Sequence, residues 1–190
     1  PEDVAWAISR AFYIARSGRP GPVVLDFPKN AQIHTAEWQP MHVSSIRSYD
    51  PYPAISQHAV EQAAELINNA ERPLALIGQG VELGGAQNEL LEFLERADIP
   101  AGRTLLGLSA LPSSHPLNVG MLGMHGNLAP NVMENQCDVL IAIGMRFSDR
   151  VTGRLDHYAK QAKVIHLDID VAEIDKNVKT DVAVVGDCKM

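Results

Sequence analysis

The chain predicts an α/β fold: a three-layer domain with a parallel sheet and helices on both faces. Two observations carry this reading. Short apolar runs recur at 139–143, 164–167 and 182–185, each the length of a strand and too uniformly apolar to have one face in water. Stretches with helical spacing separate such runs, notably 55–69 and 85–97. Strands that alternate with helices imply parallel pairing, because a parallel crossover needs a covering segment. The architecture is Rossmann-like, with the strand order left open.

Taken in order, the chain begins at Pro1 with a helical pattern that puts Ala5, Ile8, Phe12 and Ala15 on one face. After Gly18-Arg19-Pro20-Gly21-Pro22 comes a short apolar strand at 23–27, ended by Pro28. One helix and one strand cannot make a core. Residues 1–40 are therefore read as the helix-strand remnant of a preceding domain, and the chain as a fragment. Pro40, Pro51 and Pro53 mark a surface connection, with 41–54 as the linker and 55–190 as the main domain.

That domain opens on a helix over 55–69, with Ser56 as its cap and Val60, Ala63, Ala64 and Ile67 on its buried stripe. A strand at 73–77, the turn Gly78-Gln79-Gly80 and a helix over 85–97 follow. A second short strand at 99–102 leads into 104–108, and 109–126 reads as irregular and glycine-rich. The helix at 128–135 tolerates Pro130 in its first turn. Then come the strand 139–143, a loop with two arginines, a helix near 151–160, and the strand 164–167. Asp168-Ile169-Asp170 closes that strand, and a short helix near 171–176 precedes the strand 182–185.

Composition narrows the function. The chain is 46% hydrophobic and 21% charged, ordinary for a globular protein. Its 16 basic and 23 acidic residues leave a net charge of -7, which disfavours nonspecific binding to nucleic acid or an anionic membrane. No apolar run approaches the roughly 20 residues of a membrane span, and no signal-peptide pattern opens the chain, so the expected location is cytoplasmic. Cys137 and Cys188 have no metal-ligand spacing and read as reduced structural thiols. No phosphate-loop lysine motif, nucleophile elbow or zinc helix occurs. The seven histidines are scattered, and neither a metal site nor a self-contained catalytic set is expected.

Four loops should gather at the carboxyl edge of the sheet, where open α/β sheets bind ligands. Gly78-Gln79-Gly80 has part of a dinucleotide glycine fingerprint and equally suits a plain strand-to-helix turn. Gly123-Met124-His125-Gly126 precedes a helix whose first amides suit a phosphate, although His125 alone also suits a hydrogen-bonded loop position. In Gly144-Met145-Arg146-Phe147-Ser148-Asp149-Arg150, the guanidinium groups suit phosphate or carboxylate, or else form a solvated ion-pair cluster. Asp168-Ile169-Asp170 can accept from ribose or ribityl hydroxyls, or cap the next helix. Together the loops favour nucleotide binding.

Several of these motifs have a family likeness. Residues 17–29, the run Gly120-Met121-Leu122-Gly123-Met124-His125-Gly126, and the arginine loop with Val151-Thr152-Gly153 resemble acetolactate synthase (acetohydroxyacid synthase) large subunits. His166-Leu167-Asp168-Ile169-Asp170, residues 171–177 and Val185-Gly186-Asp187 continue the likeness in the same order. The resemblance covers nearly the whole chain. It implies the middle domain of a three-domain thiamine-diphosphate enzyme, with the tail of the first domain attached.

The parent enzyme would decarboxylate pyruvate and join the two-carbon unit to a second 2-keto acid, opening branched-chain amino-acid (valine, leucine, isoleucine) synthesis. Thiamine diphosphate and Mg2+ would be held by domains outside these residues, and FAD by this one. The resemblance places flavin contacts at Arg19, Gln79, Thr104, Leu105, Leu122, Gly123, Met124 and His125. It continues them at Gly144, Met145, Arg146, Phe147, Ser148, Asp168, Ile169, Asp187 and Cys188. Arg150 would meet the second substrate's carboxylate, with Lys29, Met124 and Asp149 lining the same channel. Gln79 and Ser148 depart from a glycine and an aspartate common in the family.

A homo-oligomer of catalytic subunits and a small regulatory subunit are further implications. The fragment by itself should be inactive, having neither the activating glutamate's domain nor the diphosphate-metal domain. Rival readings are the middle domain of a glyoxylate carboligase-like enzyme or a flavin-free decarboxylase, and a stand-alone nucleotide-binding module.

Overall fold

Six parallel strands form one sheet in the computed structural model, which describes residues 1–190. The chain divides into two units, Pro1–Tyr52 and Pro53–Met190, and the sheet belongs wholly to the second.

In the first unit, helix α1 (Val4–Arg16) buries Ala11. Phe12, expected on the buried face, is 66% exposed. Contacts gather instead at the helix end. Ser17 Oγ donates to the Tyr13 carbonyl at 2.6 Å, and Tyr49 Oη donates to the Ser17 carbonyl at 3.1 Å. The expected strand at 23–27 does not form: no segment pairs with it, and Val24 is 91% exposed. A strand exists only with a partner to take its hydrogen bonds. A short helix, α2 (Lys29–Ile33), follows within what reads from sequence as a connection.

The second unit starts with α3 (Gln57–Asn68), capped by Ser56 Oγ, which accepts from the Ala59 N–H. Its packed stripe is Ala59, Ala63, Leu66 and Ile67. Val60 and Ala64, expected on that stripe, are exposed. Strand β1 (Pro73–Ile77) leads to α4 (Gly80–Leu83), a short helix absent from the sequence reading, and α5 (Gln87–Ala97). Strand β2 (Ala101–Arg103) lies two residues later than expected. Strand β3 (Asn118–Met121) occupies part of the stretch read as irregular.

Helix α6 (Leu128–Glu134) and β4 (Val139–Ile143) match their sequence signals. The helix expected near 151–160 is instead α7 (Asp149–Thr152), ended by Gly153 at φ 56°. Strand β5 (Lys163–Asp168) is followed by a 3₁₀ turn at Val171–Glu173, shorter than the helix expected there, and then by β6 (Val182–Val185).

The strand order is β3-β2-β1-β4-β5-β6, the arrangement of doubly wound dinucleotide folds. Side-chain alternation divides the core in two. Ala75, Ile77, Ile141, Ile143 and Ile165 face α3 and α5. Leu74, Leu76, Leu140, Ala142 and Val164 pack on the other side with Met133 of α6, Phe147 and Tyr158. These are the three layers read from the sequence.

Candidate functional site

Because all six strands are parallel, the loops that follow them emerge at one edge. The strand order reverses between β1 and β4, whose last residues Ile77 and Ile143 are in register. Such a reversal is where doubly wound sheets take ligands.

The two loops meet backbone to backbone. Gly80 N–H donates to the Gly144 carbonyl at 2.8 Å, and Gly78 N–H to the Ile143 carbonyl at 2.9 Å. A Cβ on Gly80 would lie 2.6 Å from Gly144 Cα, and one on Gly78 would collide with the Gly144 carbonyl oxygen. These glycines are therefore required by loop-on-loop packing. Gly78-Gln79-Gly80 forms the turn from β1 into α4, with Gln79 exposed on it.

The arginine loop is pinned through its carbonyls. His166, fully buried in β5, places Nε2 2.8 Å from the Met145 carbonyl oxygen, so that nitrogen carries the proton. The Arg146 carbonyl accepts from Ser148 N–H at 2.9 Å, and the Phe147 carbonyl from Asn177 Nδ2 at 2.7 Å. Met145 and Phe147 turn their side chains into the core, where Phe147 stacks edge-on against His166 at 5.0 Å. Arg146 is exposed. These three carbonyls each hold a partner within the protein, and the exposed Arg146 is a donor that the loop presents to a ligand.

From the loop after β3, Met124 N–H donates to the Arg150 carbonyl at 2.9 Å. Met124, His125, Asp149 and Arg150 are exposed, whereas Leu122 is buried. Arg150 Nε lies 4.0 Å from Asp149 Oδ2, a solvated pair of little energetic weight. From β2, Thr104 N–H donates to the Ile77 carbonyl at 2.9 Å, which brings Thr104 and the exposed Leu105 to the same edge.

Beyond β5, Asp168 is buried, and its Oδ1 accepts from Asp170 N–H at 2.9 Å. Asp170 Oδ1 in turn accepts from Ala172 N–H at 3.0 Å, capping the following 3₁₀ turn. Of the two sequence alternatives for this segment, capping is the one seen, and it falls to Asp170. Ile169, Asp187 and Cys188 are half-buried nearby in sequence and sheet order. Burial pushes the Cys188 thiol up to about 12, with the Asp168 and Asp187 carboxylates adding to the effect. It stays protonated and is no nucleophile at neutral pH. Cys137 is likewise pushed up to about 12 by burial. No group of three or more histidine, cysteine or acidic side chains is arranged to hold a metal ion.

Arg19 and Lys29 belong to the first unit and stand apart from this description: Arg19 is exposed, and Lys29 opens α2. Three residues with no sequence-derived site role prove to hold the edge together: His166, Asn177 and Asn131. The last binds both backbone groups of Gly123. A spacing of four between Asn127, Asn131 and Asn135 is the one sequence signal for it.

Comparison with known proteins follows the same lines. Residues 60–190 match the family model described as thiamine pyrophosphate enzyme, central domain. A probable acetolactate synthase large subunit of Methanocaldococcus jannaschii is 45% identical over 100% of this chain and 32% of its own length. The acetolactate synthase large subunit of Parasynechococcus marenigrum is 44% identical over 98% of this chain and 31% of its own. The isozyme 2 large subunit of Escherichia coli is 42% identical over 98% of this chain and 33% of its own. The chain thus spans about a third of the length of the curated relatives it matches.

Proposed function

Because the chain belongs to the thiamine pyrophosphate enzyme central-domain family, we propose that it is the middle domain of an acetolactate synthase large subunit and that its carboxyl edge holds FAD. The whole protein then decarboxylates pyruvate and joins the two-carbon unit to a second 2-keto acid, in branched-chain amino-acid synthesis. Thiamine diphosphate and Mg2+ are held outside these residues, in an assembly of several catalytic subunits with a small regulatory subunit.

The observation that carries the flavin reading is the donor-rich arginine loop. Its carbonyls at Met145, Arg146 and Phe147 each accept a hydrogen bond within the protein, and its exposed guanidinium groups suit a diphosphate. Asp168 and Asp187 supply acceptors for hydroxyl groups, and the exposed Leu105 and Met124 offer apolar surface to a flat ring. A flavin dinucleotide combines these three features. Met145, Phe147 and Leu122, with buried side chains, would contribute backbone alone.

When bound, FAD gives the edge shape and rigidity, with no net redox change in the proposed reaction. The chain's own residues bind and orient. Arg150, exposed and only loosely paired, presents a planar fork to a carboxylate and can fix the second keto acid in two directions. Met124 and Asp149 flank it.

The test is purification of the full-length protein, with its visible spectrum and an acetolactate assay in pyruvate, thiamine diphosphate and Mg2+. A flavin spectrum with acetolactate formation is expected. A colourless, fully active protein indifferent to added FAD would overturn the flavin reading and favour a flavin-free decarboxylase. Flavin without acetolactate would overturn the activity.

A further inference from the structure

Helix α6 and the residues capping it carry three asparagines four apart, so Asn127, Asn131 and Asn135 lie along one face. Each binds the backbone of another segment. Asn127 Oδ1 accepts from Met121 N–H at 2.9 Å, while its own N–H donates to the Met121 carbonyl at 2.6 Å. Asn131 Oδ1 accepts from Gly123 N–H at 2.8 Å, and its Nδ2 donates to the Gly123 carbonyl at 3.1 Å. Asn135 Nδ2 donates to the Asn131 carbonyl at 3.0 Å, and its Oδ1 accepts from Ala159 N–H at 3.4 Å.

We propose that Asn131 is the positioning residue of the cofactor edge: its amide holds the Gly123 backbone in the place from which Met124 reaches Arg150. An asparagine amide has one acceptor and one donor end, and here both go to a single residue, as a neighbouring strand would supply them. Gly123 needs such a hold. It sits at φ +96°, where a Cβ would lie 2.7 Å from the Arg150 carbonyl oxygen, so only glycine fits. Glycine also has the most conformational freedom to lose, and Gly120 and Gly126 bracket the same loop. The next amide along, that of Met124, is the one that donates to Arg150. Asn131 therefore connects α6, through two residues of loop, to the start of α7, where the proposed substrate arginine lies. It touches no reacting atom and acts through Gly123 and Met124.

The inference rests on the flavin-edge reading and adds which residue sets the geometry of that edge. Its test uses the full-length protein with Asn131→Asp and Asn131→Ala. Aspartate keeps the shape and the acceptor for Gly123 N–H, but a carboxylate cannot donate to the Gly123 carbonyl until it is protonated. At about pH 8, both variants are expected to lose protection of the Met124 amide against hydrogen exchange and to bind FAD about tenfold more weakly. For Asn131→Asp alone, both effects should shrink only as the pH falls below about 4, each compared with the unsubstituted protein at the same pH.

A purely structural asparagine would lower the melting temperature and leave Met124 protection and FAD affinity unchanged, and that result overturns the proposal. If the unsubstituted protein binds no FAD, the flavin reading falls instead. Met124 exchange in the two variants then decides the role of Asn131 by itself.

Discussion

Met124 and Arg150 meet twice: the Met124 N–H donates to the Arg150 carbonyl at 2.9 Å, and Arg150 Nη1 lies 3.8 Å from Met124 Sδ. The backbone contact fixes where each residue starts, and the side chains, both exposed, remain available to a ligand.

Replacing Arg150 by alanine in the full-length protein is expected to raise KM for the second keto acid about tenfold or more, because a bidentate carboxylate contact is lost. Melting temperature should hardly move, since the Arg150 side chain is 72% exposed. Lysine should rescue only part, lacking the planar fork. Steady-state kinetics with the second substrate varied is the measurement, and an unchanged KM in Arg150→Ala refutes the assignment.

Gly80→Ala puts a methyl 2.6 Å from Gly144 Cα and 2.9 Å from its carbonyl oxygen. Both are backbone atoms of the adjoining loop, so neither can swing aside. Overpacking of this kind costs about 1–3 kcal/mol, read as a lower urea midpoint. Parent-like stability would mean that the two loops are not held together as described.

Glu134 is buried, and burial pushes its carboxyl up to about 7 from an ordinary 4.5, the neighbouring Tyr158 hydroxyl lowering it too little to compensate. The unfolded chain therefore ionises first as the pH rises. The stability tied to the neutral carboxyl is complete below about 4.5 and is lost as the pH climbs to about 7. The loss is on the order of 3 kcal/mol. Glu134→Gln should flatten this dependence, so that the variant gains on the parent between about pH 5 and 8. Urea unfolding across that range checks it, and parallel curves for the two proteins would count against the buried acid.

Asp138 stands at the opposite edge of the sheet, where its carboxylate accepts from Glu71 N–H at 2.7 Å and Arg72 N–H at 2.9 Å. Desolvation raises its pKa, but these and other backbone hydrogen bonds outweigh that and hold it below the ordinary 3.8. Its stabilisation is thus present above 3.8 and lost as the pH falls through the lowered folded value. Asp138→Ala should cost about 1–2 kcal/mol near neutral pH, a figure discounted for solvent screening. The difference between parent and variant should narrow in acid. A gap that stays constant down to about pH 3 would show that the charge is not the cause.

The strands at 73–77, 139–143, 164–167 and 182–185 were legible because both faces of the sheet are covered, which leaves nearly unbroken apolar runs. Strand β3 was not. It pairs with β2 alone, is half-buried along its length, and contains Gly120 at φ +107°. The helix expected near 151–160 is cut short because Gly153, at φ 56°, turns the chain away after one turn. In the candidate site, residue types suggested an anion and the family resemblance supplied the names. The carbonyl pinning was invisible in either, because His166 and Asn177 lie 21 and 30 positions from their acceptors. Local spacing carries no information about such pairs.

The reversal of strand order also bears on how the molecule assembles. Ala75 has one partner nearby in the chain, Ala101, and another far along it, Ile141. Each half-sheet can be built by short βα crossovers, whereas joining β1 to β4 requires a distant closure, and such closures limit folding speed. The edge where the loops after β1 and β4 meet is the seam of that joining and does not exist in either half. A ligand spanning it binds only the joined form and draws the folding equilibrium toward it. The proposed binding edge is thus also the place where the domain's assembly is completed.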